Sequence, residues 1–444
     1  MIITRRKAIF STLFGSGLVG LRALATGLPA SFLLDPRKAL ADGTCASQAK
    51  AQFILMSTCG TGDPLNANCP GSYVNGVTHP DWTQPLKGYN YTTQTTQIAL
   101  GGQQYTAAPP WAVLKPDVLA RSTFWHLKTN TPVHPKEPDV LKLMGATPKS
   151  EMLPSMLAQA LAPCLGTIQA QPISLGAANP AEALSFGGAP QPVIPPLALR
   201  STLTSAGPLA ALQPLRDQTM NSLYDLYKNG ASPAQKAYID EMVTSQQQVR
   251  NINQNLLSSL DQIKDNSVAS QIIAAIALIQ MKITPVLSLH IPWGGDNHRD
   301  IGLATEAQQT ADAVASIQSL MDALTTAKLQ DQVTFMTLHV FGRTLGPSNT
   351  DGRQHNGDHQ VSMTISSRFK PGVIGAVAPV PGADYGATNI DSKTGMGSSS
   401  GDIAALDTLA SFGMTMLAAV GADPSGINSP STTGKVISAA LASP

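Results

Sequence analysis

Charge is scarce in this chain of 444 residues: Asp, Glu, Lys and Arg make up 13% of it, well under the usual quarter. Neither sign dominates, with 29 basic against 28 acidic residues. Lacking a basic field to gather phosphate backbones, the sequence argues against nucleic acid as a partner. Long apolar runs are missing as well. The best candidate beyond the first forty residues, "IIAAIALI" from Ile272 to Ile279, falls short of the ~20 residues that span a bilayer, so no stable transmembrane segment is expected in the mature chain. No Walker-type phosphate loop and no G-x-S-x-G elbow occurs, which excludes P-loop NTPases and α/β-hydrolases. The four cysteines form no C-x-x-C, which disfavours a thiolate zinc site. Plentiful instead are Gly, at 37, and Pro, at 33, a composition that predicts long ordered loops over a polar, largely uncharged surface.

The chain opens with Arg5 and Arg6 after Thr4, then a modestly apolar run from Ile9 to Leu21, then Ala39-Leu40-Ala41, the small-x-small pattern of a signal-peptidase site. Residues 1–41 therefore read as a twin-arginine signal peptide, with the twin-arginine translocase as the partner during export and a periplasmic or secreted destination. Arg22 interrupts the apolar run before it reaches spanning length, which disfavours an uncleaved anchor. Cleavage after Ala41 would remove six basic residues (Arg5, Arg6, Lys7, Arg22, Arg37, Lys38) and one acidic residue (Asp35), leaving a mildly acidic chain.

An even number of cysteines in an exported chain favours disulfides. Cys59 and Cys69 bracket a short loop and are the expected pair; Cys45 with Cys164 follows by subtraction. "AQFILMST", residues 51–58, has the length of a strand and runs into the turn-rich "CGTGDPLN" with Asp63. Residues 70–148 read as loops, and residues 172–214 as a Pro- and Ala-rich segment draped over other elements. Between about 205 and 282 a helical insertion is expected. Ser232-Pro233 starts a helix, Val249, Ile252, Leu256, Leu260 and Ile263 form one apolar stripe, and Ala269–Lys282 is apolar enough to be buried.

The next hundred residues carry the chemistry. "PVLSLHI" (285–291) reads as a buried strand, Thr305 to Leu329 as a helix, and "VTFMTLHV" (333–340) as a second strand. That order predicts a βαβ unit with parallel strands and a right-handed crossover. Ligand sites of open parallel sheets gather beyond the carboxyl ends of strands. Asp63, the pair Asp296 and His298, and His339, Arg343 and "GRQHNGDHQ" (352–360) each follow such an end. Asp296 and His298 are two apart, so an extended segment projects both to one side. Imidazole with carboxylate suits zinc, manganese or iron, or magnesium with more oxygen ligands; the alternative is a polar loop layer held by hydrogen bonds alone. His79, His126 and His134 are weaker candidates, His134 reading as a loop residue between prolines. Downstream, "VSMTISS" alternates as a strand and Gly401–Val420 reads as a helix.

"GTGDPLN", "WGGDNH", "FGRT" and "NGDHQ", in that order and spacing, make the chain resemble a family of twin-arginine-exported bacterial proteins of unknown function, grouped by fold with the alkaline phosphatase and sulfatase superfamily. The resemblance implies a three-layer α/β sandwich with a largely parallel central sheet over residues 45–444. It also implies one or two divalent ions (zinc, manganese, magnesium or calcium). Asp63, Asp296, His298, Asp358 and His359 would be ligands, His339 and His355 reserves, and Arg343 would orient a substrate anion. Two departures stand out: Val340 replaces the family's Glu before Phe-Gly-Arg, and Val133 replaces a Ser before His134. The functions implied are a metal-dependent hydrolase of small phosphate or sulfate esters, or a noncatalytic exported protein that binds or assembles with a protein partner.

Overall fold

The computed structural model describes residues 45–442 except 46, 63–64, 168, 177–183, 205–212, 234–235, 237–239, 241–258, 294, 348–351 and 428–433. The expected signal peptide (residues 1–41), Asp63 and the stripe residues Val249, Ile252 and Leu256 thus lie outside the described residues.

Seven strands form the central sheet: β1 (Phe53–Ser57), β2 (Ser122–Leu127), β3 (Ile173–Ser174), β4 (Val286–Leu289), β5 (Val333–Thr337), β6 (Gln360–Ile365) and β7 (Gly372–Ile374), in the order β7-β2-β6-β5-β1-β4-β3. All run parallel except β6, which is antiparallel to both its neighbours. Burial on both faces explains the near-continuous apolar runs of β1 and β4. The period of two along a strand then splits each run. Phe53 and Leu55 enter one apolar core with α3 (Val268–Gln280) and α4 (Ala304–Thr326), whereas Ile54 and Met56 enter the other with α2 (Leu153–Leu165) and α5 (Thr408–Ala419). The result is a three-layer α/β sandwich with a largely parallel sheet.

The expected βαβ unit spans β4, α4 and β5, but the two strands are not neighbours. Each pairs with β1, which lies between them: Ile54 aligns with Val286 on one side and Thr334 on the other. β5 ends at Thr337, so His339 and Val340 lie past the strand. Residues 70–148 are not wholly loop: "STFWHL" is β2, every residue of it buried, paired along its length with β6. Helix α5 starts at Thr408, later than expected, because residues 401–407 first close a bridge from Ile403 to Ile390 and one 3-10 turn. Among the described residues no helix is long and apolar enough to cross a membrane.

Cys45 and Cys164 are bonded, closing a separation of 119 residues. Cys59 and Cys69 are not bonded to each other, contrary to the expected pairing. The short helix α1 (Leu65–Asn68) carries Cys69 into the apolar core, its Sγ 3.3 Å from Ser72 Oγ, while the Cys59 thiol stays 2.7 Å from Thr61 Oγ1.

Candidate metal centre

Three segments meet beyond the carboxyl ends of β4, β5 and β2. The segment after β4 brings Asp296 and His298. The segment after β5 doubles back as a two-stranded antiparallel ribbon, Gly342–Arg343 against His355–Asn356, which brings His355. The segment after β2 enters a 3-10 turn, His134–Lys136, which brings His134. Phe341, wholly buried, is the floor beneath them. Its ring centroid lies 4.5 Å from that of His355 and 4.9 Å from that of His134, and the Arg343 guanidinium carbon lies 5.4 Å from it.

Asp296 Oδ1 is the hub. His298 Nε2 lies 2.9 Å from it, His355 Nε2 3.3 Å and His134 Nε2 3.6 Å, while His298 Nε2 and His355 Nε2 approach to 2.9 Å. The ligand atoms of His134, Asp296 and His355 all fall within 4.8 Å of one another. Ligands ~2.0–2.1 Å from a tetrahedral ion are separated by about 3.3 Å, so the spacing fits one small divalent cation.

The second nitrogens fix the tautomers. His355 Nδ1 donates to the Pro132 carbonyl at 2.7 Å and His134 Nδ1 to the Gly60 carbonyl at 2.7 Å. A neutral ring whose Nδ1 carries the proton turns a bare Nε2 lone pair inward, the orienting bond metal-ligating histidines commonly make. Burial, only partly opposed by the Pro132 carbonyl and Asp296, lowers the His355 pKa and keeps that ring neutral. Two lone pairs then face a carboxylate oxygen, an arrangement a cation satisfies. Burial pushes the Asp296 carboxyl up, but the hydrogen bond and charge of the Arg343 guanidinium help hold it below the ordinary carboxylate value. His298 Nδ1 is a buried nitrogen without a hydrogen-bond partner.

Arg343, expected to orient an anion, is wholly buried and committed elsewhere. Nη1 donates to Asp296 Oδ1 at 3.1 Å, and Nη2 to the carbonyls of Gly295, at 2.9 Å, and Thr61. It fixes the hub carboxylate. Asp358 and His359 diverge. Asp358 faces outward and pairs with Lys128 Nζ at 2.7 Å, whereas His359 is wholly buried, 2.9 Å from His126 Nδ1 and 3.3 Å from Asn66 Nδ2. His339 is also wholly buried, its ring 6.2 Å from that of Trp293. Of the expected ligands the fold gathers Asp296 and His298, adds the reserve His355, and adds His134. The sequence signal for His134 was weak: it stands in a loop stretch between Pro132 and Pro135.

A cavity of about 580 Å³ opens beside the centre, with His355 on its wall together with Lys128, Asn130, Asp358 and Asp384. That size accommodates a small organic ligand.

No family model and no curated relative matches the chain. Among solved structures it is similar to a protein in the alkaline phosphatase superfamily from Vibrio parahaemolyticus, at 12% identity and a TM-score of 0.36 over 96% of this chain and 78% of that one. It is also similar to Ps i-CgsB, at 10% identity and a TM-score of 0.36 over 87% and 75% of the two chains. Likenesses this weak transfer no residue's role.

Proposed function

We propose that the chain is an exported metal-dependent hydrolase of phosphate or sulfate esters on an alkaline phosphatase-like scaffold. One divalent ion would be held by His134, Asp296, His298 and His355. The observation that carries this reading is the convergence of imidazole nitrogens on Asp296 Oδ1, with the His134 and His355 rings locked by backbone carbonyls. Three imidazoles and one carboxylate favour zinc, then manganese or iron, over magnesium or calcium, which prefer oxygen. Such an ion supplies Lewis-acid polarisation of an ester oxygen. The chain's own contribution is positional: Arg343 orients Asp296, Phe341 floors the histidines, and the cavity beside His355 receives the organic half of the ester. Metal loading in the cytoplasm would be a sufficient reason to fold before passage through the twin-arginine translocase, with the periplasm or exterior as destination.

A second reading, a noncatalytic exported protein that binds or assembles with another protein, is favoured by two residues. Val133, exposed beside His134, offers no hydroxyl, and Val340 is buried in apolar surroundings where an acidic ligand would be expected. The test is turnover of aryl phosphate and aryl sulfate esters by zinc- and manganese-loaded protein. Metal-dependent release that disappears in His355→Ala supports the hydrolase. Metal binding without turnover of either ester class supports the binder.

A further inference from the structure

Glu306 and Arg353 form an ion pair that solvent does not reach, their side chains 0% and 2% exposed. Arg353 Nε donates to Glu306 Oε2 at 2.6 Å and Nη2 to Oε1 at 3.1 Å, a two-pronged contact. Each carboxylate oxygen takes a second donor: Asn68 Nδ2 at 2.8 Å on Oε1 and Asn297 Nδ2 at 3.1 Å on Oε2. Two further guanidinium N–H groups reach the carbonyls of Thr344 and Thr78, each at 2.6 Å. Arg353 also donates its backbone N–H to the Asn297 carbonyl at 3.0 Å. Glu306 itself is anchored in the first turn of α4, where its backbone N–H and that of Thr305 donate to the Asp300 carboxylate at 2.9 and 2.8 Å.

What this pair touches is more telling than its burial. Asn297 is the residue between Asp296 and His298, Thr344 follows Arg343, and Arg353 is two residues before His355. Gly352 completes the fit: a Cβ there would collide with the Asn297 carbonyl oxygen, so the two segments lie backbone against backbone. From these contacts we infer that the Glu306–Arg353 pair is a positioning device, holding the Asp296–His298 segment and the His355 ribbon in one fixed relation so that their ligand atoms converge before any ion arrives. The inference rests on the metal reading for its use but on the contacts for its geometry. Buried ion pairs replaced together by apolar side chains often leave stability little changed. Outer residues that orient metal ligands commonly cost 10–100-fold in affinity when altered. The two roles therefore separate in one variant.

The test is Glu306→Met/Arg353→Met in the full mature chain, with amide hydrogen exchange on metal-free protein and zinc titration as readouts. Expected is loss of protection at residues 353–355, where the Arg353 N–H donates to the Asn297 carbonyl, with β5 amides unchanged and zinc affinity about 10–100-fold weaker. Wild-type protection at residues 353–355, or unchanged zinc affinity, overturns it. If the double variant does not fold, Asn297→Ala keeps the ion pair and cuts one tether. Zinc affinity should then fall while protection at 353–355 is kept, and unchanged zinc affinity overturns the inference. Should the wild type bind no zinc while residues 353–355 loosen in the double variant, the positioning role stands and the metal reading fails.

Discussion

Acidification from pH 7 to pH 4 should remove about 3 kcal/mol of folding stability through His126 alone. That ring is wholly buried. Its Nε2 donates to the Pro70 carbonyl at 3.1 Å, and its Nδ1 accepts from His359 Nε2 at 2.9 Å; the far nitrogen of His359 takes the Asn66 amide at 3.3 Å. The chain of donors runs one way only if both rings are neutral. Burial, opposed by the Pro70 carbonyl, lowers the His126 pKa from 6.5 to about 4, and burial together with His126 pushes His359 well down too. Unfolded, the rings return to about 6.5. Between those values the unfolded chain binds more protons than the folded one, so this stability is complete above about pH 6.5 and is lost as pH falls toward 4. The gap from 6.5 to about 4, at 1.36 kcal/mol per pH unit, gives the figure above, a large share of the ~5–15 kcal/mol that holds a domain together. Guanidinium unfolding at a series of pH values measures it. His126→Gln keeps a donor for Pro70 without titrating, and should lower proton uptake on unfolding near pH 5 by about one proton. A variant whose pH profile superimposes on that of the wild type would refute the reasoning.

Other perturbations reach the centre and the frame. His298→Ala and His355→Ala should each abolish tight zinc binding in equilibrium dialysis, with the unfolding midpoint of the metal-free protein little changed. Arg343→Met should weaken zinc binding and cost about 1–3 kcal/mol, because the carbonyls of Gly295 and Thr61 lose their donor. A variant with normal metal affinity that lost only affinity for an anionic ester would return Arg343 to the role of anion ligand. Cys45→Ser/Cys164→Ser, opening a loop of 119 residues, should lower stability by about 4–5 kcal/mol in denaturant titration.

The strand-length apolar runs at β1, β4 and β5 were legible in the sequence, and with them the sheet edge where Asp296, His298 and His355 gather. Burial of individual polar groups was not. Arg343 is a sensible anion ligand by residue type, yet it is wholly buried and its Nη groups go to three acceptors on neighbouring segments, leaving only the buried Nε without a partner. Asp358 and His359 are adjacent, and β6 begins at Gln360; strand alternation already acts on them, sending one outward to Lys128 and the other inward to His126. His134 was hidden for a related reason. It follows β2, whose six residues are flanked by turn-forming sequence and declare themselves only when β6 pairs with them. The cysteines likewise required three dimensions, since α1 between Cys59 and Cys69 separates two thiols that look close along the chain.

The central claim is that His134, Asp296, His298 and His355 hold an ion. Elemental analysis of the protein, purified after metal-replete expression, tests it most directly. About one zinc, manganese or iron per chain in the wild type, and none in His298→Ala, is the expected result. Metal-free wild type, or a stoichiometry indifferent to His298→Ala, would contradict it.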